Sequence, residues 1–188
     1  TNRLVGSEMC IRDRKERINV IEITVEPDWS SASYFYSIVS LAERGYSLEL
    51  TNFNSFSIQG DKRVSKIFEL FGVKTTFMDD SIRLVKIGEA SQTINLDLSA
   101  NPDLAQTIAV TCLALKICCK LTGLHTLKIK ETDRITALEN EIRKFNVFPM
   151  VTNDSIEFNA CNAIFKATKI LTYEAVSYTH LRAHETVG

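Results

Sequence analysis

The sequence predicts an α/β fold of the α+β kind, built from one unit written twice. Three observations carry that prediction. The order strand, helix, strand, helix, strand, strand is read through two times. Equivalent landmarks recur at steady spacing: Asp28 and Asn101 lie 73 apart, Val64 and Ile135 71 apart, and Asp80-Ser81-Ile82 recurs 74 residues on as Asp154-Ser155-Ile156. Each unit pairs an apolar interior helix with an amphipathic surface helix. A period near seventy is too long for a solenoid repeat, so the units are expected to form one pseudo-symmetric domain.

In the first unit (about 20–87), residues 21–28 alternate as a strand, and 30–45 read as a helix closed by Gly45. Residues 47–53 form the second strand, 62–72 a second helix ending at Gly72, and 74–80 with 81–86 a hairpin-like pair. In the second unit (about 92–159), 93–99 is the strand and 101–123 one long helix ending at Gly123. Residues 124–130 read as the next strand, 132–146 as the next helix, and 148–154 with 155–159 as the closing pair. A third copy is expected to begin near Ala163 and run to 175.

Apolar residues occupy every face from Leu104 to Leu121, with only Lys116 and Lys120 charged, which predicts a helix buried all round. The helix from Ile135 carries Ile135, Leu138, Ile142 and Phe145 on one stripe, with Glu139, Glu141, Arg143 and Lys144 off it.

Composition narrows the class. A chain of 188 residues, 45% hydrophobic and 24% charged, can build a real core as one domain or two small ones. A net charge of −1 provides no basic field for nucleic acid or an anionic membrane. No apolar run is long enough to span a bilayer. Cys112, Cys118, Cys119 and Cys161 show no CxxC spacing and have no histidine partner, so reduced thiols are expected and no metal site.

The two ends, 1–14 and 176–188, read as foreign. When the first residue is paired with the last and so on inward, codons exist that make each pair reverse complements. Met9 (ATG) pairs with His180 (CAT), Cys10 (TGT) with Thr179 (ACA), and Gly6 (GGC) with Ala183 (GCC). The relation runs unbroken from Thr1/Gly188 to Asp13/Val176. Protein physics does not produce such a relation, whereas one DNA segment placed at both ends in opposite orientation does, as with sequencing-library adapters. Both ends are therefore set aside, along with His180 and His184 as a metal pair. The natural segment is expected to be 15–175, leaving His125 as its single histidine.

Chemistry is expected at two helix starts. Asn101-Pro102-Asp103 places a capping side chain, a first-turn proline and an acid at the start of the apolar helix. Asp28-Trp29-Ser30-Ser31 caps its counterpart. Such ends suit anions, although Asp103 also reads as an ordinary first-turn acid, and Ser30 and Ser31 as caps. The second place is Lys128-Ile129-Lys130-Glu131-Thr132-Asp133-Arg134, where Lys130, Glu131 and Arg134 crowd a turn before a helix. Lys supplies a compact donor and Arg a planar fork for carboxylate or phosphate. Glu131 could move a proton, though two adjacent cations favour its charged form. A solvated charge run opening a helix is the alternative. Gly60-Asp61-Lys62-Arg63 occupies the comparable place in the first unit without the Lys-Glu pair.

EPDWSSASYF, NPDLAQTIA and KIKETDRITALENEIRKF, in that order, resemble the EPSP synthase (3-phosphoshikimate 1-carboxyvinyltransferase) family, and ILTYE at 170–174 resembles the approach to its next motif. The resemblance implies the enolpyruvyl transferase fold, with about two of three units of one domain present. It implies transfer of the enolpyruvyl group of phosphoenolpyruvate to the 5-hydroxyl of shikimate 3-phosphate, with phosphate released and no cofactor. By position, Asp103 would be the base and touch shikimate 3-phosphate, and Lys130 would bind that substrate. Glu131 would be the acid, and Arg134 would hold phosphoenolpyruvate. Where members often carry an Asn, this chain has Thr126, so that role is not carried over. A cytoplasmic, monomeric parent and an inactive isolated chain are implied. Its rivals are the UDP-N-acetylglucosamine enolpyruvyl transferase, which shares the fold and chemistry, and a non-catalytic phosphate-binding module.

Overall fold

Two sheets and four α-helices make up the computed structural model, which describes residues 25–130 and 132–171. The terminal segments 1–14 and 176–188 and the first half of the strand expected at 21–28 lie outside the described residues, and its second half, 25–28, is not a strand. Helix α1 is Trp29–Leu41, followed by strand β1, Ser47–Thr51. A 3-10 turn (Gly60–Arg63), the short helix α2 (Val64–Ile67) and another 3-10 turn (Phe68–Phe71) occupy the place of the predicted 62–72 helix. Strands β2 (Val73–Phe77) and β3 (Ser81–Lys86) complete the first unit. The second contains β4 (Thr93–Asp97), α3 (Ala105–Ala114), β5 (Cys118–Thr122), α4 (Arg134–Arg143), β6 (Met150–Val151) and β7 (Ile156–Asn159).

The duplication is visible in the strand pairing. The first sheet has order β1-β3-β2 and the second β4-β5-β7-β6, so β5-β7-β6 repeats β1-β3-β2 with the same antiparallel pairings. Strand β4 adds to β5 in parallel. Register brings apolar residues together on the inner faces, Leu50 opposite Ile82 and Leu121 opposite Ile156. Ile82, Leu121 and Ile156 are fully buried, each contributing about 1.5–3 kcal/mol, and Leu50 is partly buried against them.

Two predicted elements are corrected. The 101–123 segment is not one helix: α3 stops at Ala114, and Cys118–Thr122 is a strand inside the second sheet. Lys116 adopts a left-handed conformation (φ 58°), and the backbone amide of Ile117 closes onto the Cys112 carbonyl. No glycine marks that stop, and the apolar run masked it. The alternation that defines β5 was nevertheless present, with Cys119 and Leu121 inward and Lys120 outward. Gly123 therefore closes a strand. Residues expected as the strand 124–130 instead form a 3-10 turn, His125–Ile129, burying Leu124 and Leu127 at a spacing of three.

Helices α1 and α3 pack side by side at the centre, joined by hydroxyl pairs. Ser33 Oγ and Thr107 Oγ1 lie 2.9 Å apart, and Thr111 Oγ1 donates to Ser37 Oγ at 2.8 Å. Both pairs are separated by 74 residues, the repeat spacing. The all-round burial expected of the 104–121 segment holds only in part, since Val110 on α3 is exposed. Tyr34, Phe35, Ile38 and Leu41 on α1 are exposed as well, because the described residues supply no further layer over them. An aromatic cluster fills the first unit, with Trp29 edge-on to Phe53 at 5.0 Å and Tyr36 beside Phe68 at 5.4 Å. The Lys86 ammonium is buried there, donating to the carbonyls of Ser40 (2.7 Å) and Phe71 (2.9 Å).

Two aspartates cap the helices. Asp28 accepts from the amides of Ser30 and Ser31, and Asp133, which the sequence reading passed over, accepts from Ile135 and Thr136. Partial burial pulls both carboxyls upward. These hydrogen bonds, with the Lys128 charge near Asp133, outweigh it and hold both below the ordinary value. A lowered folded-state pKa contributes stability that is fully present above the unfolded value of about 4 and is lost as pH falls through the lower folded value. Replacing both by Asn keeps a cap and removes the titration. The double variant is expected to show a flatter fall of Tm below about pH 4 than the parent, and an unchanged slope would contradict the assignment.

Candidate active site

Three chain segments converge at the N-terminal end of α3. The 3-10 turn Pro102–Leu104 carries Asp103, with Pro102 at its first position. The turn His125–Ile129 ends at Lys130, and α4 begins with Arg134, fixed by the Asp133 cap. Asp103 Oδ1 accepts hydrogen bonds from both cations, from Lys130 Nζ and from Arg134 Nη1 at 3.1 Å.

The side chains of Lys130 and Arg134 are each 27% exposed and that of Asp103 39%, so the cluster lies at the surface with its heads half-covered. Ion pairs of that exposure contribute about 0–1 kcal/mol each. The geometry has larger chemical consequences. Two cations share one carboxylate oxygen, and donors of these types can hold a phosphate or carboxylate beside a proton acceptor. Of the four residues expected to carry chemistry, Asp103, Lys130 and Arg134 are thus brought together. Glu131 lies outside the described residues.

Asn101 does not cap the turn it precedes. Its buried side chain donates from Nδ2 to Asp61 Oδ1 at 3.1 Å, while Ser30 Oγ donates to Asp61 Oδ2 at 2.6 Å. The comparable places of the two units are therefore built differently. In the second, the turn entering the interior helix supplies the acid Asp103, the end of the His125–Ile129 turn supplies Lys130, and the surface helix supplies Arg134. In the first, the segment leading into α2 supplies the acid Asp61, and α1 the hydroxyl. Sequence reasoning named Asp61 only as a counterpart and missed its contacts, which join residues 31 and 40 positions apart. Thr126, in the turn leading to Lys130, has a buried hydroxyl with no hydrogen-bond partner among the described residues.

A family model for EPSP synthase (3-phosphoshikimate 1-carboxyvinyltransferase) matches residues 7–182. The chain belongs to the EPSP synthase family. A 3-phosphoshikimate 1-carboxyvinyltransferase of Bacteroides fragilis is 41% identical over 150 residues, covering 80% of this chain and 36% of the relative. Others, from Buchnera aphidicola and Tolumonas auensis, are 34% and 33% identical over 168 and 147 residues. The chain thus spans about a third of the length of the EPSP synthases it matches. Among solved structures, EPSP synthase of Acinetobacter baumannii aligns with TM-score 0.54 at 19% identity, covering 72% of this chain and 32% of that one. That likeness supports the shared enolpyruvyl transferase fold. No helix among the described residues is long and apolar enough to cross a membrane.

Proposed function

We propose that the chain is one wall of an enzyme that transfers the enolpyruvyl group of phosphoenolpyruvate to the 5-hydroxyl of shikimate 3-phosphate. The observation that carries this reading is the single Asp103 oxygen shared by Lys130 and Arg134. In the proposed reaction, Asp103 takes the proton of the attacking hydroxyl, whose oxygen bonds to the central carbon of phosphoenolpyruvate. Glu131 protonates the methylene carbon, giving a tetrahedral intermediate. Breaking the carbon–oxygen bond to phosphate and removing a methyl proton regenerates the enol ether. Lys130 holds shikimate 3-phosphate near the reacting hydroxyl, and Arg134 holds phosphoenolpyruvate. Both substrates are anionic, so the cations bind them and stabilise charge that moves during the step. The remaining binding groups belong to the two thirds of the relatives' length that this chain does not span, and closure of the two parts excludes water. The terminal segments 1–14 and 176–188 are foreign in this reading, and the parent is a cytoplasmic monomer.

Phosphate release from the two substrates tests the proposal in the full-length protein. The 188-residue chain should give none, and the full-length protein should turn over. Glu131→Ala in that protein should lower kcat about 10²- to 10⁴-fold with a much smaller change in KM. Turnover by the isolated chain would defeat the one-wall reading, and an unchanged kcat would remove Glu131 as the proton donor.

A further inference from the structure

We propose that Asp61 is a positioning residue for Asp103, acting through Asn101. Asp61 lies in the first unit, in the 3-10 turn Gly60–Arg63, and touches neither Lys130 nor Arg134 by any hydrogen bond or ion pair among the described residues. One of its oxygens accepts from Ser30 Oγ at the start of α1, and the other from Asn101 Nδ2 at the start of the Pro102–Leu104 turn. Asn101 is only 2% exposed, and its backbone is tied on both sides. Its amide donates to the Leu98 carbonyl at 2.8 Å, and its carbonyl accepts from the Leu104 amide at 3.2 Å. The turn so closed is the one that holds Asp103 against its cations. Gly60 leaves room for the contact, since a Cβ at that position would stand 3.1 Å from Asn101 Nδ2 and would press the amide slightly aside.

The contact therefore crosses from one unit to the other and fixes the entrance of α3 relative to that of α1. Asn101 cannot turn to cap its own helix while Asp61 holds it, so the carboxylate decides where the turn sits. Displacing a reacting group by about 1 Å costs on the order of 10²-fold in rate.

This inference rests on Asp103 acting in the proposed transfer, and the test separates the two. In the full-length protein, Asp61→Asn and Asn101→Ala are each expected to lower kcat about 10- to 100-fold. KM for phosphoenolpyruvate should stay within about threefold, a split that uniform loss of binding would not give. The double variant is expected to be no slower than the slower single one, because both remove the same link. Losses that multiply, or wild-type kcat in a folded Asp61→Asn, would overturn the proposal. If Asp61→Asn does not fold, Asn101→Ala decides alone, and its wild-type turnover counts against the idea. Asp103→Ala is measured alongside. If it retains full turnover, the function assigned to Asp103 fails. If it is inactive while Asp61→Asn is not, only the positioning role fails.

Discussion

Asp103→Ala in the full-length protein is expected to lower kcat about 10²- to 10⁴-fold, the range for loss of a positioned proton acceptor. The accompanying change in KM distinguishes its two assigned roles. Removing the carboxylate deletes the oxygen that Lys130 and Arg134 share. An anionic substrate then no longer competes with that oxygen for the two cations, which opposes any loss of a direct contact to shikimate 3-phosphate. A large fall in kcat with KM nearly constant is the signature expected of the base. A rise in KM with kcat preserved would reduce Asp103 to a binding group. Steady-state kinetics with each substrate varied in turn decides between them.

The largest expected effect on stability is at Gly72. It follows the Phe68–Phe71 turn with φ 73°, and a Cβ there would stand 2.0 Å from the Gly88 carbonyl oxygen. The Gly88 and Ile87 amides both donate to the Gly72 carbonyl, so the two segments cannot separate without breaking those bonds. Backbone must therefore shift. Gly72→Ala is expected to destabilise by about 3 kcal/mol or more, beyond the roughly 1 kcal/mol of a left-handed non-glycine residue alone. Gly45 provides the control. Its φ is 94°, yet nothing lies within 4 Å of an added Cβ, so Gly45→Ala should show only the conformational strain. Chemical denaturation of the two variants should separate them clearly, and equal losses would show that crowding at Gly88 is not the cause.

Much of this architecture was legible because repetition supplied a second copy of every signal. The strand at Ser81–Lys86 and its equivalent at Ile156–Asn159 carry the same Asp-Ser-Ile entrance, and both sheets pair as that likeness implies. The failure at β5 has a local cause. Leu113, Leu115 and Ile117 continue the apolar run of α3, and the break is made by a lysine in a left-handed conformation, which no residue preference announces. Length was the neglected signal, since a helix over 101–123 is about twice the usual size. At the site, the charges of Lys130 and Arg134 and the acid Asp103 were readable from spacing and family likeness. That both cations share one oxygen was not, because it depends on how two turns 27 residues apart meet. Asp61 stayed hidden for the same reason.

The buried ammonium of Lys86 has a mechanical consequence. One nitrogen ties the carbonyl of Ser40, near the end of α1, to that of Phe71, at the close of the turn after α2. A sliding motion of α1 past its neighbour would strip a charge of both partners inside an apolar cluster, so the first unit resists shear at that end. Any bending of the first unit must then fall outside this joint, because one nitrogen clamps the end of α1 to the turn after α2.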